Sequence, residues 1–445
     1  MPKDLPGLYW DEARNRYFPI SSRPKTQTSH QTSSISSSGP SAGPSGSAAA
    51  PNTRDSARRS KTKHPCVVPS HVALSYHERA RHQHDAVSSK IAASFKAEYS
   101  PVRSIGKITT LASSVSSDGF TSYFVGDTSG WLYKSTGNGE DSDADADELA
   151  WAAEFNLRPS SEISSISTSG QRCVATCSGT TARIAVINDA QTTLFSVNGI
   201  HDAWASFLSD RSLVIGAEKK AVYIPDIDIG PPMTVMDTQS DIFSVFMQES
   251  QIYTGARNGD IMRFDVRTEK RDGQKIFSGR FGPAPTSSKH AQPHLFKNRI
   301  ARPRSSVVHL GIIREWQMLV SHMDGELGTY DLRFLRETNP VQMFTGHVNS
   351  LTRQLGIAVD PCENLLFAAG EDRRIRAWSI TTGELLQAPI SLPASSGSGI
   401  PAETPLLERI FEEPVAALKV SETRGRLYLW ATAPRGLHKY TLDEY

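Results

Sequence analysis

Apolar and polar residues alternate along this chain in short pulses separated by Gly, Asp and Asn. The clearest pulse is Ile252–Arg267, IYTGARNGDIMRFDVR. It opens on apolar residues, narrows to Thr254 and Gly255, turns at Gly259–Asp260, and closes on Phe264-Asp265-Val266-Arg267. A second copy, Met318–Arg333, turns at Asp324–Gly325 and closes on Tyr330-Asp331-Leu332-Arg333. A looser third copy is LLFAAGEDRRIRAWSI, Leu365–Ile380. Each predicts two short strands with alternating side chains, joined by a tight turn, with an aromatic residue near the end of the second. Repetition of the unit marks a repeat protein. Further copies are expected at Phe120–Lys134, Cys173–Asp189, Leu213–Ile227 and Ala416–Leu442. About seven units in series predict an all-β, seven-bladed β-propeller over residues 99–445. The last unit ends after its third strand. A strand within Ile91–Tyr99 would supply the fourth and remove an open edge.

The chain before the propeller divides into three parts. Residues 1–20 hold an aromatic motif, Tyr9, Trp10, Tyr17 and Phe18 around the polar stretch Asp11–Asn15. It is expected to form a small hairpin, serving as a cap or as a partner-docking motif. Residues 21–65 are rich in Ser, Pro, Gly and Ala and predict a disordered linker. Arg54, Arg58, Arg59, Lys61 and Lys63 form a loose basic cluster there, of the kind seen in nuclear localisation signals. Residues 66–98 predict a helical segment. Ser70 is its candidate N-cap, and Val72, Tyr76, Ala80, Val87, Ile91 and Phe95 form one apolar stripe. Such a helix either covers the propeller or docks in a partner's groove.

Three loops interrupt the strands. Gly137–Glu148 is acidic, and Ser391–Thr404 is rich in Ser, Pro and Gly. Arg271–Arg304 carries Lys275, Arg280, Lys289, Lys297, Arg299, Arg302 and Arg304 and is expected to lie outside the sheets. It is a candidate site for an acidic partner or phosphate backbones.

Composition narrows the function classes. The net charge of +1 over 445 residues does not point to nucleic acid or to a membrane surface. With 38% hydrophobic residues, part of the chain is expected to be disordered. No apolar run is long enough to span a bilayer. Four cysteines form no disulfide framework, and no secretory signal peptide is evident, which suggests a reducing compartment, nuclear and/or cytoplasmic. The chain has no nucleophile elbow, no phosphate loop and no dinucleotide fingerprint. His77, His82 and His84 lack the spacing that sets two metal ligands on one helix face. Cys173 and Cys177 lack zinc-spaced partners and read as buried thiols. Neither an enzyme, a metal nor a cofactor is expected.

The repeats resemble WD repeats. Gly346-His347, Asp372 and Trp378 carry the fullest match, with His347, Asp372 and Trp378 as structural residues. Ser379 stands where Asp usually follows Trp, Phe264 and Tyr330 replace Trp in the other copies, and Ala369 replaces a buried Ser or Thr. The paired Asp265-x-Arg267 and Asp331-x-Arg333 segments resemble the box of WD-repeat substrate receptors in cullin-4 ubiquitin ligases. Leu5-Pro6-Gly7-Leu8-Tyr9, Arg16-Tyr17-Phe18 and Gly346-His347-Val348-Asn349 narrow the resemblance to the fourth cullin-4-associated factor family. It implies a non-enzymatic receptor that docks to the adaptor, damage-specific DNA-binding protein 1, and through it to cullin-4. Asp265, Arg267, Asp331 and Arg333 would be adaptor-docking residues, the 66–98 segment a second anchor, and the substrate an unidentified protein. The alternatives are a WD-repeat scaffold in another nuclear complex, for RNA processing or chromatin, and a nucleic-acid-binding propeller.

Overall fold

The computed structural model of the protein describes residues 8–11, 16–19, 83, 97–115, 121–136, 149–188, 191–230, 232–268, 273–277, 305–334, 340–387, 406–423 and 426–442. Two units divide the chain, residues 1–72 and 73–445. In the first, Leu8–Asp11 and Arg16–Pro19 form the expected antiparallel hairpin, with Tyr9 opposite Phe18 and Trp10 opposite Tyr17. The expected helix at 66–98 lies outside the described residues, apart from helical Gln83 and the last two positions.

The second unit is a ring of seven antiparallel sheets. Blade 1 runs from Ile108–Val115 to Ala150–Asn156, and blade 2 from Ile163–Ser169 to Thr192–Val197. Blade 3 runs from Ala205–Ser209 to Thr234–Asp237, and blade 4 from Ile242–Gln248 to Gln274–Phe277. Blade 5 runs from Val307–Ile313 to Gln342–Met343, and blade 6 from Ile357–Val359 to Ile375–Ser379. Blade 7 takes Leu418–Thr423, Arg426–Ala433 and Gly436–Leu442 from the C-terminal end of the chain. Its fourth strand is Ala97–Pro101, paired from Pro101↔Gly436 to Ala97↔Tyr440. The ring therefore closes as expected, with early chain completing a late blade.

The blade interfaces carry the core. Seven buried clusters each join two neighbouring blades, including the pair that closes the ring, where Leu111, Tyr123 and Tyr133 meet Trp430 and Leu437. Each fully buried Leu, Ile, Val or Phe contributes roughly 1.5–3 kcal/mol, against about 1 kcal/mol net for a hydrogen bond. Packing between blades, more than pairing within them, therefore fixes the ring. The second strands correct the expected alternation. Gln317–His322 and Leu365–Ala369 are buried at every position, because blades cover both of their faces. In blades 1, 2, 4 and 5 the first strand shifts register near its start, as at Ile242/Ser244 and Val307/His309. Such bulges sharpen local twist, here where the strands converge on the central channel.

The basic segment from Arg271 needs a correction. Gln274–Phe277 is not outside the sheets but forms the outer strand of blade 4. Ile276 and Phe277 are buried against blade 5, and Lys275 pairs with Asp260 at 2.7 Å. The charges around this short apolar pair masked its strand character. Residues 278–304, 137–148 and 391–404 lie outside the described residues.

Candidate docking face

Asp265 and Asp331 end the third strands of blades 4 and 5. Each lies opposite the first residue of its second strand, Gln251 and Gln317 respectively. Both Asp-x-Arg segments therefore emerge at the same end of neighbouring blades, the face that carries the turns between first and second strands. In blade 4, Asp265 Oδ1 accepts from the Arg267 backbone N–H at 3.0 Å and from Nε at 3.0 Å, and Oδ2 accepts from Nη2 at 2.8 Å. Blade 5 repeats this at 2.8, 3.0 and 2.8 Å between Asp331 and Arg333. The backbone bond is an Asx turn that reverses the chain, and the forked bond then locks the arginine against it.

The arginine hydrogen bonds lower the pKa of both carboxyls, Asp265 well below the usual carboxylate range, and raise the pKa of both guanidinium groups. Two of the five donors expected of each arginine are thus taken by its own aspartate, leaving three. The Arg267 side chain is 71% exposed and that of Arg333 55%, so the pairs stabilise the fold little and act chiefly as orienters.

The two forks differ in their surroundings. The Arg333 guanidinium lies 3.6 Å from the Trp316 ring centroid and 5.7 Å from that of Phe334, a 57% exposed neighbour. Among the described residues no ring stacks on Arg267. Trp316 comes from the first turn of blade 5, Arg314-Glu315-Trp316, which follows Ile313. Arg314 from the same turn donates Nη2 to Thr381 Oγ1 at 2.8 Å in blade 6. Sequence reasoning missed both Arg314 and Trp316. Their one local signal is a hairpin turn between apolar runs that lacks Gly, Asn, Asp and Pro.

Of the WD residues, His347 and Asp372 lie at the opposite end of blade 6, and Trp378 sits near the docking-face end of its third strand. His347 is buried, and its Nε2 sits 3.1 Å from the Ala369 carbonyl oxygen. Burial lowers its pKa, so the imidazole stays neutral. Trp378 is fully buried and donates Nε1–H to the Thr345 carbonyl at 2.9 Å. Asp372 accepts from Arg376 Nη1 at 3.0 Å and Nη2 at 2.6 Å. The linked His–Ser/Thr–Trp set of the repeat is thus replaced by separate backbone contacts and an ion pair, as the alanine at position 369 implies.

First strands line a central channel. It holds perturbed titrating groups. Burial pushes His309 down to about 4 and lowers Lys419. Burial is the cause for each, with no facing charge contributing, so they do not form a coupled acid–base pair. Arg353, from the connection into blade 6, reaches Glu162 at 2.8 Å and lies 4.4 Å from the Trp204 ring, crossing from blade 6 to the blade 2 and 3 side of the channel. Cys173 and Cys177 are buried with raised pKa values and behave as core thiols. Among the described residues no group of His, Cys, Asp and Glu has metal-site geometry, and no helix is long and apolar enough to cross a membrane.

A closed ring of seven blades built on these repeats, six four-stranded and blade 6 three-stranded among the described residues, defines the chain as a WD-repeat β-propeller protein. Among solved structures, the WD40 propeller domain of Doa1 aligns with a TM-score of 0.52 at 11% identity, covering 78% of this chain and 96% of that one. No protein-family profile matches the chain. It is similar to WD repeat-containing protein 21 of Schizosaccharomyces pombe, 23% identical over 147 residues, 32% of this chain and 30% of that protein. It is also similar to human DDB1- and CUL4-associated factor 4-like protein 2, 38% identical over 92 residues, 20% of this chain and 22% of that protein. Bovine DDB1- and CUL4-associated factor 4 is 28% identical over 152 residues, 34% of this chain and 26% of that protein. The matched stretches span less than a third of each relative's length.

Proposed function

We propose that this protein is a substrate receptor of a cullin-4 ubiquitin ligase. The forked Asp-x-Arg pairs of blades 4 and 5 dock the propeller on the adaptor DDB1 (damage-specific DNA-binding protein 1), and another surface holds a protein substrate. Ubiquitin transfer then follows from proximity and is performed by other subunits, so the chain itself needs no catalytic group. The observation that carries this reading is the repetition of one oriented, exposed fork on two consecutive blades, where packing alone requires neither. The names of two partial relatives support it. A nuclear or cytoplasmic location accords with this role. Pairing of Lys275 with Asp260 takes one cation from the basic stretch and weakens the nucleic-acid alternative.

Capture of purified DDB1 by the wild-type chain and by Arg267→Ala/Arg333→Ala tests the proposal, with circular dichroism to check folding. Capture by wild type and its loss in the folded double variant is the expected result. No capture by well-folded wild type overturns the ligase reading. Capture untouched by the double change moves docking away from this face.

A further inference from the structure

The first turn of blade 5 is built unlike its neighbours. Blades 2, 3 and 4 join their first two strands through two residues, Gly170-Gln171, Asp210-Arg211 and Glu249-Ser250. Blade 5 uses three, Arg314-Glu315-Trp316, between paired Ile313 and Gln317. Arg314 and Glu315 both have left-handed backbones, at φ 50° and 63°. Side chains with a Cβ adopt that region at a cost of about 1 kcal/mol or more per residue, which Gly avoids and Asn reduces. Two such residues in succession persist only where the surroundings hold them. Here both neighbouring blades do so. Gln248 Nε2 of blade 4 donates to the Glu315 carbonyl at 3.3 Å, and the Arg314 N–H donates to Glu363 Oε2 of blade 6 at 2.7 Å. Both contacts use the turn's main chain, so any residue pair with the same backbone keeps them.

The side chains are therefore what the strained turn supplies. Trp316 stacks under Arg333. Arg314 reaches Thr381, and the position of Thr381 matters. The register pairs Ser379 with Leu365 as it pairs Asp265 with Gln251 and Asp331 with Gln317. Ser379-Ile380-Thr381 of blade 6 is thus the counterpart of Asp265-Val266-Arg267 and Asp331-Leu332-Arg333, with Thr381 in the arginine's place. Blade 6 lacks its own arginine there, and a guanidinium arrives at that place from blade 5.

We propose that the Arg314-Glu315-Trp316 turn is the specificity element of the docking face: Arg314 completes a row of three guanidinium groups across blades 4, 5 and 6, and Trp316 fixes the plane of the middle one. The proposal rests on the docking function proposed above. The Arg267 and Arg333 forks are already charge-balanced by their own aspartates, so the donors left over on these two suit neutral acceptors. The matching partner surface is a protein loop or strand end presenting main-chain carbonyl groups, beside an apolar patch that covers Phe334.

The experiment measures the affinity of purified DDB1 for four full-length chains: wild type, Glu315→Gly, Arg314→Asn/Glu315→Gly, and Arg267→Ala/Arg333→Ala. Each is melted in parallel. Asn-Gly suits a left-handed turn, so the turn double variant is expected to melt at or above the wild-type temperature. Its affinity is expected to fall about tenfold or more, while Glu315→Gly alone binds like wild type. If wild type binds and Arg267→Ala/Arg333→Ala does not, yet the turn double variant keeps full affinity, the proposal is overturned and the docking function stands. Equal loss in Glu315→Gly also overturns it, because the backbone would then be the determinant. So does a lowered melting temperature in the turn double variant, which would make the turn structural. Failure of wild type to bind overturns the docking function itself.

Discussion

Asp127 provides the sharpest test of how blade 1 is wired. Its carboxylate is fully buried and accepts four hydrogen bonds. Oδ1 takes the Ser129 N–H at 2.9 Å and the Trp131 N–H at 2.8 Å, closing the turn between the second and third strands. Oδ2 takes the Gly106 N–H at 2.9 Å and the Tyr133 hydroxyl at 3.0 Å, tying in the connection from blade 7. Tyr133 also accepts the Ile105 N–H at 3.0 Å, and burial, with the Asp127 charge, pushes its phenol up to about 12. In Asp127→Asn the amide oxygen keeps the Oδ1 partners, while its NH2 faces the Gly106 N–H. That N–H loses its acceptor, at the lower end of about 1–3 kcal/mol because Gly106 is only half-buried, and the remaining bonds lose charge assistance, about 0.5–1 kcal/mol each. Relief from burying a charge offsets part of this. The net is about 2 kcal/mol, a fall of about 3 °C in a thermal melt for a domain of this size. Asp127→Ala leaves all four donors unmatched and should cost about twice as much. Adding Tyr133→Phe completes a double-mutant cycle, whose coupling should be measurable. Melting of both Asp127 variants within about 1 °C of wild type would refute the reasoning.

Two further predictions follow from the same geometry. Burial holds His309 and His438 near pKa 4, against about 6.5 when unfolded, so the unfolded chain takes up protons first. Stability should be full above about pH 6.5 and fall as pH drops toward 4, whereas the lowered carboxyls of Glu371 and Asp372 lose their contribution only below about pH 4. His438 packs among Tyr99, Phe411 and Tyr440 with Arg409 the nearby charge, so His438→Phe should flatten the melting temperature against pH, and an unchanged slope would contradict the assignment. For ring closure, a chain beginning at Ala97 should elute as a single folded species in gel filtration. One beginning at Val102 should aggregate, because the Gly436–Leu442 strand becomes an open edge. Equal behaviour of the two truncations would show that closure is dispensable.

The fold was legible because its punctuation is local. Gly259, Gly325 and Gly130 all take left-handed backbones at the turns between second and third strands, so Gly between apolar runs marked those turns. The closing strand was legible as a deficit, one blade being short a strand that the early chain could supply. What stayed hidden depended on three dimensions. The second strands abandoned alternation because neighbouring blades bury both faces, a property of the ring and not of the strand. The outer strand at Gln274–Phe277 was masked by nearby charge until Lys275 met Asp260. On the docking face, each Asp-x-Arg pair could be read because its residues lie two apart. Trp316 and Arg314 could not, since they meet Arg333 and Thr381 only through the register of blades 5 and 6.

The closed forks also set the character of the docking proposed for this face. An unpaired arginine would attract carboxylates at long range, and its binding would weaken steeply with salt. Arg267 and Arg333 instead carry their counter-charge with them at 2.8 Å, so little net charge faces outward. What the forks offer is direction. The backbone N–H of each arginine is bonded to the same aspartate as its side chain, which fixes the guanidinium plane before any partner arrives. The ordering entropy of two long side chains is then largely spent in folding rather than in docking. Affinity built this way comes from matched donors and from apolar cover over Phe334, and it requires a stiff frame. The blade interfaces supply that frame, with Phe277 and Tyr330 at 5.2 Å packed between the very blades that present the two forks.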